Sequence, residues 1–439
     1  MRKQNSKIGR PRKVIEQGKA KITFTGKSVT AHAGMGLVAH AMEVFDLRSR
    51  FADIFSDLDA NTKRSTSDML EQLIALRLMG GEAISDTTIY DDALKALFDW
   101  DTVAHGSTFG RRLKRFNWRH NLCLQQVLSF LYQRLEPTGN RLLSIDSSVQ
   151  TVCGEPEGAQ RGYNPHKPGR LSYHPLLAVD VDARAVVDGY LRPGSASSGN
   201  GLDGFIRKIT ADVPSGVEEI VFRLDKGLCS GQVLDTIEDL GCGYVAKFKL
   251  TQRVAARISK IKKWRSIGKG IFAANFRYQP RGWKQPRRLV VIERNELPKK
   301  DPVQMPLFDF MEGRYEVICT NQRLKAENIW RLYNKGAVVE QVIDELKNDL
   351  SATGIRTDSF WANDALFITG LIAYNLLNCI RRIALPKAYR TSRIKRLGFL
   401  FFQIGANVVR KARGFWVKIG RDYPFRLILY RAFAALSFA

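Results

Sequence analysis

From residue 141 onward the apolar spacing switches from a helical period to a strand period, and the order of strands and helices beyond that point restricts the fold more than any other feature. RLLSIDSSVQTVCG (141–154) reads as a strand, and YHPLLAVDVDARAVVDGYLRPG (173–194) holds two more, LLAVDVD and AVVDGYL, joined at Ala183-Arg184. GVEEIVFRLDKG (216–227) is a fourth, ending at Asp225; SGQVLDTIEDL (230–240) has helical spacing; GCGYVAKFKL (241–250) is a fifth strand. Three strands in succession and then strand–helix–strand predict a mixed α/β (α+β) sheet. The first strand carries a chemical question. Asp146 interrupts an apolar run, and an unpaired buried carboxylate is costly. It therefore stands at a strand end facing water, or it holds something.

The flanking segments differ in kind. Residues 1–22 are polar and basic, a flexible arm in which Gly9-Arg10-Pro11 with Arg12 resembles a minor-groove AT-hook core or is an ordinary solvated tail. Residues 31–135 have helical periodicity; Met69, Leu70, Leu73, Ile74, Leu76 and Leu78 form one apolar face that Gly80-Gly81 ends, and Ser85-Asp86-Thr87-Thr88 reads as a helix start. HGSTFGRRLKRF (105–116), with Arg111 and Arg112, suits either a recognition helix or a basic solvated helix of a bundle. Residues 251–317 mix short strands, turns and aromatics with Lys and Arg, a β-rich insertion with a turn-rich end at MPLFDFMEGR (305–314). EVICTN (316–321) resumes the sheet, AENIWRLYNKGAVVEQVIDELKNDL (326–350) predicts one long amphipathic helix, and ALFITGLIAYNLLNCIRRI (365–383) a second, apolar one.

Charge narrows the partner. The chain has 69 Lys+Arg against 43 Asp+Glu, a formal charge of +26. Such an excess favours a polyanion, nucleic acid before an acidic membrane. The stretch 381–439 alone holds 14 Lys/Arg and one acid, Asp422, which suits phosphate contacts. Six scattered cysteines without a CxxC pair argue against a zinc ribbon and for reduced, buried thiols. No apolar stretch follows the basic N-terminus and LGFLFFQIGANVV (397–409) is short for a membrane span, so a soluble intracellular protein with no membrane partner is expected.

Asp146 and Asp225 end two strands, and Glu340 lies on the helix after the insertion. Three carboxylates without His or Cys suit hard, oxygen-preferring cations. Two magnesium ions held there would activate a water or 3′-hydroxyl and stabilise the leaving oxygen of a phosphodiester. The order Asp, Asp, insertion, Glu resembles the RNase H-like DDE transposases of bacterial insertion sequences. Their signature runs Tyr, two residues, Arg, three residues, Glu, six residues, Lys; Tyr333, Glu340 and Lys347 fall at those offsets, with Gly336 at the Arg position and Lys335 one place early. The stretches DSSVQTVCGEPEGAQRGYNPHKPGRLSYHPLLAVD and ITFTGKSVTAHAGMGLV (22–38) look like the IS-thirteen-eighty branch of the IS-four-like clan. At the second Asp the chain reads Asp225-Lys226-Gly227-Leu228, with Leu where such proteins often have an aromatic.

The resemblance implies an RNase H-like mixed-sheet catalytic domain with a β-rich insertion, preceded by an N-terminal helical DNA-binding region. The divisions are an arm (1–22), a helical DNA-binding region (23–136), the first catalytic part (137–250), the insertion (251–317), the second catalytic part (318–385) and a basic C-terminal region (386–439). It implies that Asp146, Asp225 and Glu340 bind two Mg2+ or Mn2+ ions, that Tyr333, Lys335 and Lys347 hold phosphates or a displaced base, and that Arg10, Arg12, Arg111 and Arg112 contact DNA. Partners would be double-stranded DNA, as terminal inverted repeats and target, with a homodimer in the complex and a cytoplasmic, nucleoid-associated setting in bacteria. Each residue also has an ordinary reading. Asp146 and Asp225 are good turn caps; Glu340, Asp344 and Lys347 form a helix face with Glu–Lys pairing; Trp330 stacks a base or fills a core; His166 and His174 touch DNA or only occupy a loop. Asp180, Asp182 and Asp188 neighbour the strands without being expected as ligands, and Glu345 points away from Glu340. The rival functions are a silent DNA-binding descendant of a transposase, a charge-driven nucleoid or RNA-binding protein, and a nuclease that cuts without joining.

Overall fold

The computed structural model describes residues 14–17, 20–23, 28–60, 64–165, 167–197, 199–295, 314–354, 357–411 and 414–438. The Gly9-Arg10-Pro11 element with Arg10 and Arg12, His166, and all but the last residue of 305–314 lie outside the described residues.

The N-terminal helices form where the apolar spacing places them. They include α1 (Met35–Val44) and α2 (Thr66–Leu78), whose start is fixed by the Ser65 hydroxyl accepting from the Ser67 and Asp68 amides. Past its end, Gly80 takes φ +86°, a conformation that favours glycine. Ser85-Asp86-Thr87-Thr88 does not start an α-helix. It lies in a 3-10 turn, Ile84–Ile89, and the Asp86 carboxylate accepts from the Glu82 and Ala83 amides. Helices α3 (Gly106–Leu113) and α4 (Trp118–Gln133) come next. This region is bonded to the rest of the chain: the fully buried Arg77 guanidinium on α2 donates to the carbonyls of Leu350, Ser351 and Leu366.

The sheet has nine strands: β1 (Gly139–Ser147), β2 (Leu176–Asp180), β3 (Ala185–Tyr190), β4 (Val217–Leu224), β5 (Gly243–Lys247), β6 (Arg265–Gly268), β7 (Ile271–Tyr278), β8 (Arg287–Arg294) and β9 (Tyr315–Thr320). Their spatial order is β6-β7-β8-β9-β5-β4-β1-β2-β3. Strands β1, β4 and β5 run parallel, while β2 and β3 are antiparallel to their neighbours. The block β3-β2-β1-β4-β5 is the mixed sheet expected from the strand order and the RNase H-like arrangement that the resemblance implies, with α5 (Gly231–Asp239) as the crossover between β4 and β5. The strands of the expected β-rich insertion form and continue this same sheet, joined through β9, which pairs with both β5 and β8.

Alternation along the strands gives each face its own core. Leu142, Val221, Val245, Val290 and Ile318 meet Ile329 and Tyr333 of helix α6 (Ala326–Lys335) on one face. Leu143, Ile145, Phe222, Leu224 and Ala246 belong to the larger core on the other.

The segment 326–350 is not one helix. Between α6 and α7 (Val338–Asp344) the amides of Gly336, Ala337, Val339 and Glu340 bond three residues back instead of four. A π turn, Glu345–Asp349, then widens the spiral. Tightening and widening both rotate side chains away from a regular seven-residue stack. Helix α8 (Phe360–Cys379) begins five residues before its apolar pattern, runs on into a π turn, Ile380–Ala384, and packs on α2, α4 and β3. By length and composition, Phe360–Ala384 would suffice to cross a membrane, which the sequence reading passed over, yet 89% of its most apolar window is buried inside the fold. Its polar residues are bonded there: Asn375 to Val186, and Asp364 to Asn121 and the Leu191 amide.

Candidate active site

Strand register builds the centre. Ile145 of β1 pairs with Leu224 of β4. The next residue on each chain is an aspartate, so Asp146 and Asp225 stand side by side at the C-terminal ends of adjacent parallel strands, where neighbouring backbones are roughly 4.8 Å apart. Both have the parity of Leu142 and Val221, which places them on the face that carries α6. Asp225, with Glu340 from α7, lines a cavity of about 290 Å³ together with Arg223, Lys247, Arg294, Glu316 and Tyr333.

The electrostatics join all three acids. The Asp146 carboxyl is raised to about 6, first by burial and then by the charges of Asp225 and Glu340, against the Ser147 amide, donating at 2.8 Å, and Arg223. The acids are thus assembled but not closed into a cage. Among the described residues no three His, Cys, Asp or Glu side chains lie together at metal-holding distance. An oxygen-only donor set, in which Asp225 and Glu340 raise the proton affinity of Asp146, fits a hard divalent cation.

The signature residues are placed less simply. Tyr333, expected to face DNA, is 4% exposed. Its hydroxyl donates to Asp225 Oδ1 at 3.4 Å, and burial, ahead of the nearby acids, raises its pKa. It braces the second aspartate. Lys347 is half-buried, held below the usual lysine range by burial and drawn back up by Asp146 and Asp344. Lys335 pairs with Asp182 at 2.5 Å. The bent helix places Tyr333 at Asp225, Glu340 at the cavity and Lys347 within the field of Asp146.

Arg111 and Arg112 separate. Arg111 is exposed on α3. Arg112 is buried, ion-paired with Asp59 and bonded to the Leu58 and Arg64 carbonyls, so it holds the helical region together and is not available to DNA. A basic pair one residue apart on a helix faces two directions, and only one can face solvent. The neighbouring acids also have structural partners: Asp180 with Arg141 and Tyr132, Asp188 with Lys208, Glu345 with Arg381. Trp330 is half-buried and donates to Glu316 at 3.2 Å, and His174 is buried.

Arg223 escaped the sequence reading. It lies on β4 two residues before Asp225, with its guanidinium carbon 4.6 Å from the centre of the Tyr333 ring. It fills the space beside Gly336, where a Cβ would approach Arg223 Cδ to 2.8 Å. A charged residue at an inward position of IVFRLD was the available signal.

Two acids on adjacent parallel strand ends of this sheet, with a third on the following helix, form the layout of a candidate DDE-type site. The chain matches the family model "Transposase DDE domain group 1" over residues 12–439 and belongs to that family. A comparison with curated proteins finds no match. Among solved structures, it is similar to a piggyBac transposase in a synaptic complex with hairpin DNA, at 12% identity and a TM-score of 0.44, over 85% of this chain and 84% of that one.

Proposed function

We propose that this member of the transposase family cuts DNA at transposon ends and joins the freed 3′-hydroxyl to target DNA, using Asp146, Asp225 and Glu340 as ligands for divalent cations, two Mg2+ or Mn2+. The observation that carries the reading is the Ile145–Leu224 register, which brings the two aspartates together on the face that also receives Glu340. Bound there, the cations would supply a polarised nucleophile and charge neutralisation at the phosphate. The protein's own part is positional. Tyr333 holds Asp225 from behind, the Ser147 amide orients Asp146, and Lys347 adds positive charge beside Asp146.

The substrate reading rests on charge. An excess of +26, the exposed Arg111 on α3, and a C-terminal hairpin with Lys411 stacked 4.2 Å over the exposed Trp416 favour duplex DNA. We assign Lys335, Lys347 and Arg111 to phosphate contacts, with Arg10 and Arg12 in the basic arm. Terminal inverted repeats as the recognised sites, a homodimer holding two ends, and membership of the IS-thirteen-eighty branch complete the proposal.

The test is nicking and joining of a labelled duplex that ends in the repeat flanking the reading frame, with Mg2+ or Mn2+. Strand transfer by the parent and its loss in Asp146→Asn support the reading. Cutting without joining makes the protein a nuclease, and repeat-specific binding without cutting makes it a silent DNA-binding descendant.

A further inference from the structure

Arg223 is 92% buried, since only 8% of it is exposed, yet nothing described satisfies it. The other buried arginines are all bonded: Arg77 and Arg192 to carbonyls, Arg112, Arg287 and Arg381 to carboxylates. The Arg223 guanidinium makes no hydrogen bond or ion pair with the described residues, although its charge acts on Asp146, and its Nε, like those of Arg77 and Arg381, is buried without a partner. A desolvated guanidinium in that state is costly. The fold nevertheless holds it firmly, with the Tyr333 ring on one side and Gly336 against its Cγ, Cδ and Nε on another. It borders the cavity of Asp225 and Glu340. Lys247 and Arg294, on the same rim, are engaged by Glu316 at 3.5 and 3.1 Å. Arg223 is the cation there whose hydrogen-bonding capacity is unspent among the described residues.

We propose that Arg223 is a phosphate-binding residue of this site, its guanidinium donating to non-bridging oxygens of a DNA phosphate seated beside Asp225, with Tyr333 and Gly336 fixing its plane. The inference rests on the transposase reading and adds to it a contact that comes from the sheet and not from the helices. A planar fork suits two oxygens of one phosphate, which a lysine ammonium meets only as a point charge.

The experiment is a salt titration of binding to the flanking-repeat duplex in EDTA, so that no cation occupies the acids. For Arg223→Gln and Arg223→Lys, thermal melting first confirms a folded protein. Loss of one phosphate contact lowers the slope of log K against log salt by about 1 in Arg223→Gln. Affinity falls roughly tenfold, the scale of one hydrogen bond to a charged group. Arg223→Lys keeps most of the slope and recovers part of the affinity. Gly336→Ala, which displaces the guanidinium without removing its charge, weakens binding in the same direction. An unchanged slope in a folded Arg223→Gln overturns the proposal, including when its melting temperature falls, because a purely structural arginine alters stability and not the number of phosphates neutralised. If the parent cuts and joins the duplex while Arg223→Gln binds as the parent does, this proposal alone fails. If the parent shows neither repeat preference nor cutting, the transposase reading fails and takes this one with it.

Discussion

Ile145 and Leu224 face each other across the parallel pair β1/β4, and each is followed by an aspartate. This pairing makes a centre of two residues 79 positions apart in the sequence. A slip of one residue in this register would turn one carboxylate to the opposite face of the sheet.

Neutralising any one acid should therefore stop the chemistry without harming the fold. Asp146→Asn, Asp225→Asn and Glu340→Gln are each expected to lower end-nicking by roughly three orders of magnitude or more, the scale on which members of a catalytic set fail singly. Melting temperatures should stay level or rise, since each change removes a charge from a self-repelling group. Parallel nicking assays and thermal scans check both halves. A variant that keeps near-parental nicking is not a ligand position.

Stability should fall from mildly acidic to alkaline pH. Asp146 is raised to about 6 and Asp364 to about 7, both from 3.8 and both first by burial. An acid with a raised folded pKa takes up a proton on folding. Its contribution is complete below about pH 4 and is lost as pH rises through 6 and 7. The urea midpoint should drop between pH 5 and pH 8, and Asp146→Asn should flatten the part centred near 6. Adding Mg2+ at pH 8 should raise the midpoint of the parent by mass action, and much less that of Asp146→Asn.

Tyr333 should separate positioning from packing. Tyr333→Phe removes only the hydroxyl that meets Asp225 and is expected to slow nicking several-fold, about what one weak hydrogen bond is worth, with little change in melting. Tyr333→Ala empties the space between Arg223 and α6 and should cost about 3 kcal/mol of stability. Parental nicking by Tyr333→Phe would remove the hydroxyl from the argument.

Arg111 and Arg112 should behave as opposites. Arg112→Ala leaves Asp59 without its buried partner and is expected to destabilise by about 3–5 kcal/mol, while folded protein at low temperature keeps its affinity for DNA. Arg111→Ala should leave melting unchanged and weaken DNA binding with a shallower salt dependence. Urea unfolding and fluorescence anisotropy on the same preparations distinguish them.

Residue order was enough for the succession of strands and the helix ending at Gly80-Gly81, because alternation, capping and turn chemistry are local and act within a few residues. Packing between distant segments settled the rest. Whether 326–350 ran straight depended on the tight bonds around Gly336, where room had to be left for Arg223 from a strand more than a hundred residues earlier. Whether Tyr333 faced DNA or Asp225, and whether Arg112 faced phosphate or Asp59, depended on which side of each helix met a neighbour. Such choices are made by contacts between elements far apart in the chain, and the spacing of residues along one segment does not encode what lies across from it.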